Sequence, residues 1–201
     1  MRFVLASASP ARRNLLRAAG IDADIDISGV DESTVDSEKP RETSQRLARH
    51  KARTVAARHA DGLVLGCDSV LELDGEALGK PGTAAEARRR WRAMRGRAGI
   101  LHTGHCLIDT STGKSAEATA STTVRFADVS DAEIDAYVAT GEPLHVAGAF
   151  TIDGLGGPFV ESVDGDPGTV IGLSLPLLRH LLADLGIQIT DLWRDQLASG
   201  T

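Results

Sequence analysis

Asp68 and Ser69 follow the apolar run Leu63-Val64-Leu65-Gly66-Cys67. A carboxylate at the end of a buried-type strand can hold a divalent metal or take a proton from water. Strand ends are also where α/β proteins place ligands. The plainer alternative is an aspartate that caps a turn. Asp31-Glu32 offers a second hard ligand, or simply a solvated acidic loop. Lys80, fixed between Gly79 and Pro81, is placed to meet a phosphate, although many such lysines only sit in turns. Lys51 falls in an arginine-rich helical stretch and ordinarily marks a solvated face.

A second group lies at the N-terminus. The extended Phe3-Val4-Leu5 passes through Ser7 and Ser9 into Pro10, followed by Arg12 and Arg13. Ser9 fits an N-cap, and Pro10 fits the first helical turn, where a missing N–H costs nothing. Helix N–H groups, the Ser7 and Ser9 hydroxyls and the Arg12 guanidinium would then converge on one spot suited to phosphate. The alternative is an ordinary capped helix.

The elements that must hold these groups follow from periodicity. A helix leaves Pro10 and stops at Gly20, and Ile25 and Ile27 alternate as a short strand. Residues 29–40 are polar and irregular. Leu47, Ala48, Ala52, Val55 and Ala56 predict a helix over residues 41–60. Residues 63–67 read as a strand that ends at Asp68. Asp74-Gly75 between Val70-Leu71-Glu72-Leu73 and Glu76-Ala77-Leu78 is a hairpin signal. Thr83-Ala84-Ala85-Glu86 and Ser130-Asp131-Ala132-Glu133 are capping boxes. They open helices that run to about Met94 and to Thr140-Gly141. Strands are predicted over residues 100–108, 118–126 and 159–163, and a helix from Pro176 to Gly186, with a weak amphipathic tail after it. Alternating strands and helices give an α/β class, and the hairpins exclude an all-parallel sheet.

The 201 residues fit one domain. Aromatic residues are 3% of the chain, which predicts an aliphatic core. A net charge of -6 disfavours a nucleic-acid module, which would carry a basic stripe. No apolar run approaches the roughly 20 residues of a membrane span, and no signal peptide is visible, so the expected location is the cytoplasm. Cys67 and Cys106 lack metal-type spacing and read as reduced thiols in strands. Thr112-Gly113-Lys114-Ser115 fails as a phosphate loop because Ile108 stands at the first glycine. His102 and His105 alternate onto opposite faces of a strand and cannot share a metal.

Several blocks, in order, resemble the Maf family of nucleotide pyrophosphatases over nearly the whole chain. Leu5-Ala6-Ser7-Ala8-Ser9-Pro10-Ala11-Arg12 is similar to its opening motif, with Ala11 at the first of two arginines. Leu47-Ala48-Arg49-His50-Lys51-Ala52 resembles the helix that brings a phosphate-binding lysine. Asp68-Ser69, Gly79-Lys80-Pro81, Glu86-Ala87, Gly96-Arg97 and Thr103-Gly104 resemble the central block. Gly141-Glu142-Pro143-Leu144, Ala147-Gly148-Ala149-Phe150 and Gly154-Leu155-Gly156-Gly157 resemble the C-terminal block, and Val170-Ile171-Gly172-Leu173-Ser174-Leu175-Pro176 the closing segment.

The resemblance implies an elongated mixed sheet flanked by helices, with two lobes about a central cleft, as in Maf and inosine triphosphatase proteins. It implies one domain over residues 1–201 with a tail at 187–201, and a homodimer. The reaction implied is hydrolysis of a nucleoside triphosphate to a monophosphate and pyrophosphate. Asp68, Glu32, Lys51 and Lys80 would be catalytic, and Glu32 and Asp68 would hold Mg²⁺ or Mn²⁺. Ser7, Ser9, Arg12 and Asp153 would bind substrate. Arg12, Lys51 and Lys80 are expected partly exposed, so that alanine there spares stability.

The chain departs from the family's thymidine- and uridine-nucleotide branch at Asp153, where that branch has Gln. It departs again at His145-Val146, where that branch has Asp-Lys. His145 is more like the 7-methylguanosine triphosphate branch. Asp153 could steer base selection or merely cap a turn. The cellular role implied is removal of modified nucleotides, or an effect on septum formation. A rival remains: a nucleotide sensor in cell division that uses the same cleft without turnover.

Overall fold

The computed structural model describes residues 1–32 and 38–193. Part of the polar stretch and the end of the predicted tail lie outside the described residues. The chain forms β1 (Phe3–Leu5), α1 (Pro10–Ala18), β2 (Asp24–Ile25), α2 (Pro40–Ala56), β3 (Leu63–Leu73) and β4 (Glu76–Leu78). It continues with α3 (Ala84–Met94), β5 (Ala98–Asp109), β6 (Ser115–Phe126), α4 (Asp131–Ala139), β7 (Val160–Asp164), α5 (Pro167–Ile171) and α6 (Leu175–Asp184). The seven strands make one mixed sheet in the order β2-β1-β3-β5-β6-β7, with β4 on β3. β2, β1 and β3 run parallel, and every other pairing is antiparallel.

β3 is longer than its sequence reads. Asp68 and Ser69 do not end it, because β5 pairs with it without a break from Leu63↔Asp109 to Glu72↔Ile100. The ladder overrides the two polar residues. The opposite edge of β3 is shared. β1 covers it at Leu63, Val64 and Leu65, and β4 covers it at Leu71, Glu72 and Leu73. Among the described residues no strand pairs with residues 66–70 on that side, and Asp68 is at their centre.

Alternation sends neighbouring side chains to opposite faces. On one face Leu5, Leu63, Leu65, Cys67 and Leu107 pack with Leu16 of α1 and Leu178, Leu181 and Leu182 of α6. Farther along the same face, Leu71, Leu73, Leu101 and Val124 pack with Trp91 of α3 and Ile134 and Tyr137 of α4. The predicted aliphatic core holds for the first cluster, apart from Phe3, and for Val4, Ala6, Val55 and Val64 on the other face. Trp91, Phe126, Tyr137, Phe150 and Phe159 concentrate in the second, edge to face at 4.9–5.8 Å.

The other face carries α2, which lies against the backbone itself. A Cβ on Gly66 would stand 2.3 Å from the Ala48 oxygen, and one on Gly104 2.3 Å from the Ser44 oxygen. α2 ends at Ala56 rather than residue 60, because Arg58 and His59 turn away to Asp26. Ser130 and Glu133 form the reciprocal capping box that the sequence predicts. Thr83 caps Glu86 N, but the Glu86 carboxylate turns to Arg89 and Arg90 instead of closing a box, since charged donors outcompete a backbone N–H.

Both thiols are buried in strands, and burial pushes each up to about 12, so they stay protonated. The two histidines do face opposite ways. His102 bonds Glu72 and Ser121, whereas His105 bonds the Thr103 oxygen and accepts from Ser174 N at the start of α6. Burial depresses His105 from 6.5 to about 4, so it is a neutral link between β5 and α6.

Two outcomes follow. Gly66→Ala and Gly104→Ala should each lower stability by about 3 kcal/mol in urea unfolding. Gly113→Ala, strained only by its left-handed backbone in open space, should cost about 1 kcal/mol. His105 binds its proton more readily unfolded than folded, so its contribution is complete above pH 6.5 and lost as pH falls toward 4. Over that window the protein should lose about 3 kcal/mol that His105→Asn, with nothing to protonate, does not lose.

Candidate active site

The stretch of β3 that is paired on one edge alone, with β5, brings polar groups to both of its faces. On the α2 face, Lys51 comes down from the helix to Asp68. Its Nζ donates to Asp68 Oδ1 at 2.6 Å and to Glu32 Oε1 at 2.6 Å. Glu32 Oε2 in turn accepts from Lys80 Nζ at 2.9 Å. The result is a chain of alternating charge, Lys80–Glu32–Lys51–Asp68. The four residues come from the loop after β2, α2, the middle of β3 and the loop after β4. Gly66 and Gly104 let α2 approach closely enough for Lys51 to reach the strand.

Burial is unequal along this chain. The Lys51 and Asp68 side chains are 7% and 10% exposed, against 56% for Lys80. Lys51 is therefore neither a solvated face nor a partly exposed cleft residue. It is a buried ammonium between two carboxylates, and the partial exposure expected of the three cations holds only for Lys80. Desolvation alone would raise the Glu32 carboxyl, but hydrogen bonds and charge from Lys51 and Lys80 overrule it and hold it at about 2.

On the opposite face Arg12 is also buried. Its Nε donates to the Gly172 carbonyl at 2.7 Å, Nη1 to Ser7 Oγ at 3.0 Å and Nη2 to Ser69 Oγ at 3.0 Å. Ser69 meets Thr103 Oγ1, which donates to the Thr169 carbonyl at 2.7 Å. Ser9 caps α1 by accepting from Arg12 N, and Ser9 N donates to Ser7 Oγ. The guanidinium meets the Ser7 hydroxyl, whereas the Ser9 hydroxyl is turned to the Arg12 backbone N–H as the helix cap. Gly172 is crowded as well as turned: it has φ +122°, and a Cβ there would meet Arg12 Nε at 3.0 Å.

Asp153 is brought to neither group. It lies on an exposed loop, and among the described residues no hydrogen bond or ion pair joins it to the rest. The carboxylate that holds this loop is Glu142, which accepts from Tyr137 Oη, Thr151 Oγ1, Leu155 N and Gly156 N. Thr169 and Gly172 were not singled out as site residues from the sequence. They contribute backbone carbonyls through long-range packing, which leaves no local signal.

Two carboxylates sharing one lysine can accept a hard cation. Lys51 takes one oxygen of Asp68, and among the described residues no hydrogen bond occupies the other. Among the described residues no three His, Cys, Asp or Glu side chains converge to form a closed metal cage. Mg²⁺ does not need one, since it keeps waters and shares substrate oxygens around one or two carboxylates. No described helix is long and apolar enough to cross a membrane.

Comparison with known proteins agrees with the resemblance. The family described as Maf-like protein matches residues 2–185. The chain is 63% identical over 198 residues to a protein of Salinispora tropica named nucleoside triphosphate pyrophosphatase, covering 96% of this chain and 88% of that one. A protein of the same name from Streptomyces coelicolor is 61% identical over 194 residues, covering 96% and 94%. One from Nostoc punctiforme is 52% identical over 192 residues, covering 96% and 98%. With its seven-stranded mixed sheet and flanking helices, this chain belongs to the Maf family.

Proposed function

We infer that this protein is a nucleoside triphosphate pyrophosphatase, converting a nucleoside triphosphate and water to a monophosphate and pyrophosphate. The observation that supports this most is the chain Lys80–Glu32–Lys51–Asp68 at the strand edge left open between β1 and β4. Lys51 and Lys80 alternate with Glu32 and Asp68 on one face of β3, and Arg12, whose hydrogen bonds go to neutral groups, adds a further positive charge on the other. The local excess of positive charge attracts a polyanion despite the net charge of -6.

In this reading water attacks the α-phosphorus, and the bond from that phosphorus to the bridging oxygen of the β-phosphate breaks. Asp68 accepts the water proton, and pyrophosphate leaves with the bond electrons. Lys51 holds Asp68 and Glu32 in place. Lys80, exposed and resting on Glu32, exchanges that carboxylate for a phosphate oxygen. Arg12, with Ser7 and Ser9, presents further donors where charge spreads over the transferring group. Glu32 and Asp68 would hold Mg²⁺ or Mn²⁺, which when bound neutralises triphosphate charge. The same reading takes the enzyme to be a cytoplasmic homodimer that removes modified nucleotides or acts on septum formation. Asp153 is its proposed contact to the base.

The test is pyrophosphate release from a panel of natural and modified nucleoside triphosphates with Mg²⁺ or Mn²⁺. Turnover of at least one is expected; tight binding with no release would favour the nucleotide-sensor alternative. Asp68→Asn, which keeps an acceptor for Lys51, should lose far more than tenfold in kcat, and a smaller loss (below about 1.4 kcal/mol) would remove Asp68 from the chemistry. Lys51→Ala strands buried Asp68 without its partner and should lower stability by about 3 kcal/mol in urea unfolding. Lys80→Ala should change stability by less than about 0.5 kcal/mol while weakening turnover.

A further inference from the structure

The Lys80 side chain is exposed, yet the backbone that carries it is gripped from behind. The Gly79 carbonyl accepts from Gly148 N at 3.1 Å and from Arg90 Nη1 of α3. Gly82 N donates to the Leu144 carbonyl at 3.1 Å. Arg90 is the only one of these anchors that is a side chain. Its Nε donates to Glu86 Oε1 at 2.7 Å, one turn earlier on α3, and the side chain is 13% exposed.

A guanidinium is planar, so its donors cannot move independently. With Nε fixed on Glu86, Nη1 is aimed at Gly79. Arg89 and Arg90 together hold the Glu86 carboxyl down at about 2, so the ion pair persists over the working pH range. This also accounts for the capping box that Thr83 and Glu86 do not complete. The carboxylate is spent on Arg89 and Arg90 rather than on the Thr83 N–H. Folding alone does not require Arg90 here, because without it Gly79 keeps Gly148 N and Glu86 keeps Arg89.

We propose that Arg90, aimed by Glu86, is a positioning residue that sets the Gly79–Lys80 backbone so that Lys80 meets the triphosphate. The proposal rests on Lys80 being a phosphate-binding group, as argued above. Arg90 itself touches no reacting atom.

A double-mutant cycle on the full-length enzyme tests it through pyrophosphate release. Arg90→Ala should lower kcat/KM about tenfold, mainly by raising KM, with an unchanged unfolding midpoint. Arg89→Ala, which frees Glu86 on its other side without touching Gly79, should leave kcat/KM unchanged. In a Lys80→Ala background, Arg90→Ala should add no more than about twofold, because there is no ammonium left to place. An equal tenfold loss in both backgrounds, or no loss in the single variant, would overturn the proposal. If the wild type releases no pyrophosphate, or Lys80→Ala matches it, the functional reading fails first and this inference with it. If both behave as proposed and the cycle shows no coupling, the Arg90 inference alone is wrong.

Discussion

One ammonium group ties the molecule together. Lys51 Nζ lies 2.6 Å from both Asp68 and Glu32, under a helix that rests directly on strand backbone. Burying charge is costly unless it is paired, and here buried Lys51 and buried Asp68 pair with each other. The pairing demands close approach, and close approach demands Gly66 and Gly104 beneath α2. The long ladder between β3 and β5 holds those glycines level. Helix, sheet and charged chain therefore stand or fall together.

The open edge adds a second constraint. β1 runs parallel to β3 and β4 antiparallel to it, and both occupy the same side. Each strand leaves that edge through a polar loop, one leading through Ser7 and Ser9 into α1 with Arg12, the other carrying Lys80. Asp68 and Ser69 are adjacent in the chain yet serve opposite faces, one meeting Lys51 and the other Arg12. Strand geometry thus brings two separate polar groups to one break in the sheet without a long loop.

Much of this was legible in the sequence because its signals were local. Pro10 behind Ser9, Asp74-Gly75 and Ser130 with Glu133 each carry their own stereochemistry, and the elements they mark are found. The family resemblance supplied Lys51 and Lys80 where periodicity alone read a solvated face and a turn. What was not legible depended on partners far along the chain. Asp68-Ser69 looked like a strand end because the pairing that continues the strand comes from residues 103 and 104. Lys51 looked solvated because a helix viewed alone does not show what lies beneath it. Thr83-Glu86 matched a capping box, but two arginines on the same helix took the carboxylate. The few aromatic residues gave no hint that five of them, Trp91 included, would cluster together.

The gap in the β3 edge bears on aggregation as well. An exposed strand edge offers free N–H and C=O groups to any passing chain, and proteins normally blunt such edges. Here the edge is plugged at both ends by the protein's own strands, and only residues 66–70 stay open. A foreign strand longer than about five residues would run into β1 or β4 there, and the stretch carries a buried carboxylate at its centre. A small ligand can enter where a foreign strand cannot find enough length to pair. The sheet thus stays open to chemistry while remaining closed to self-association through that edge.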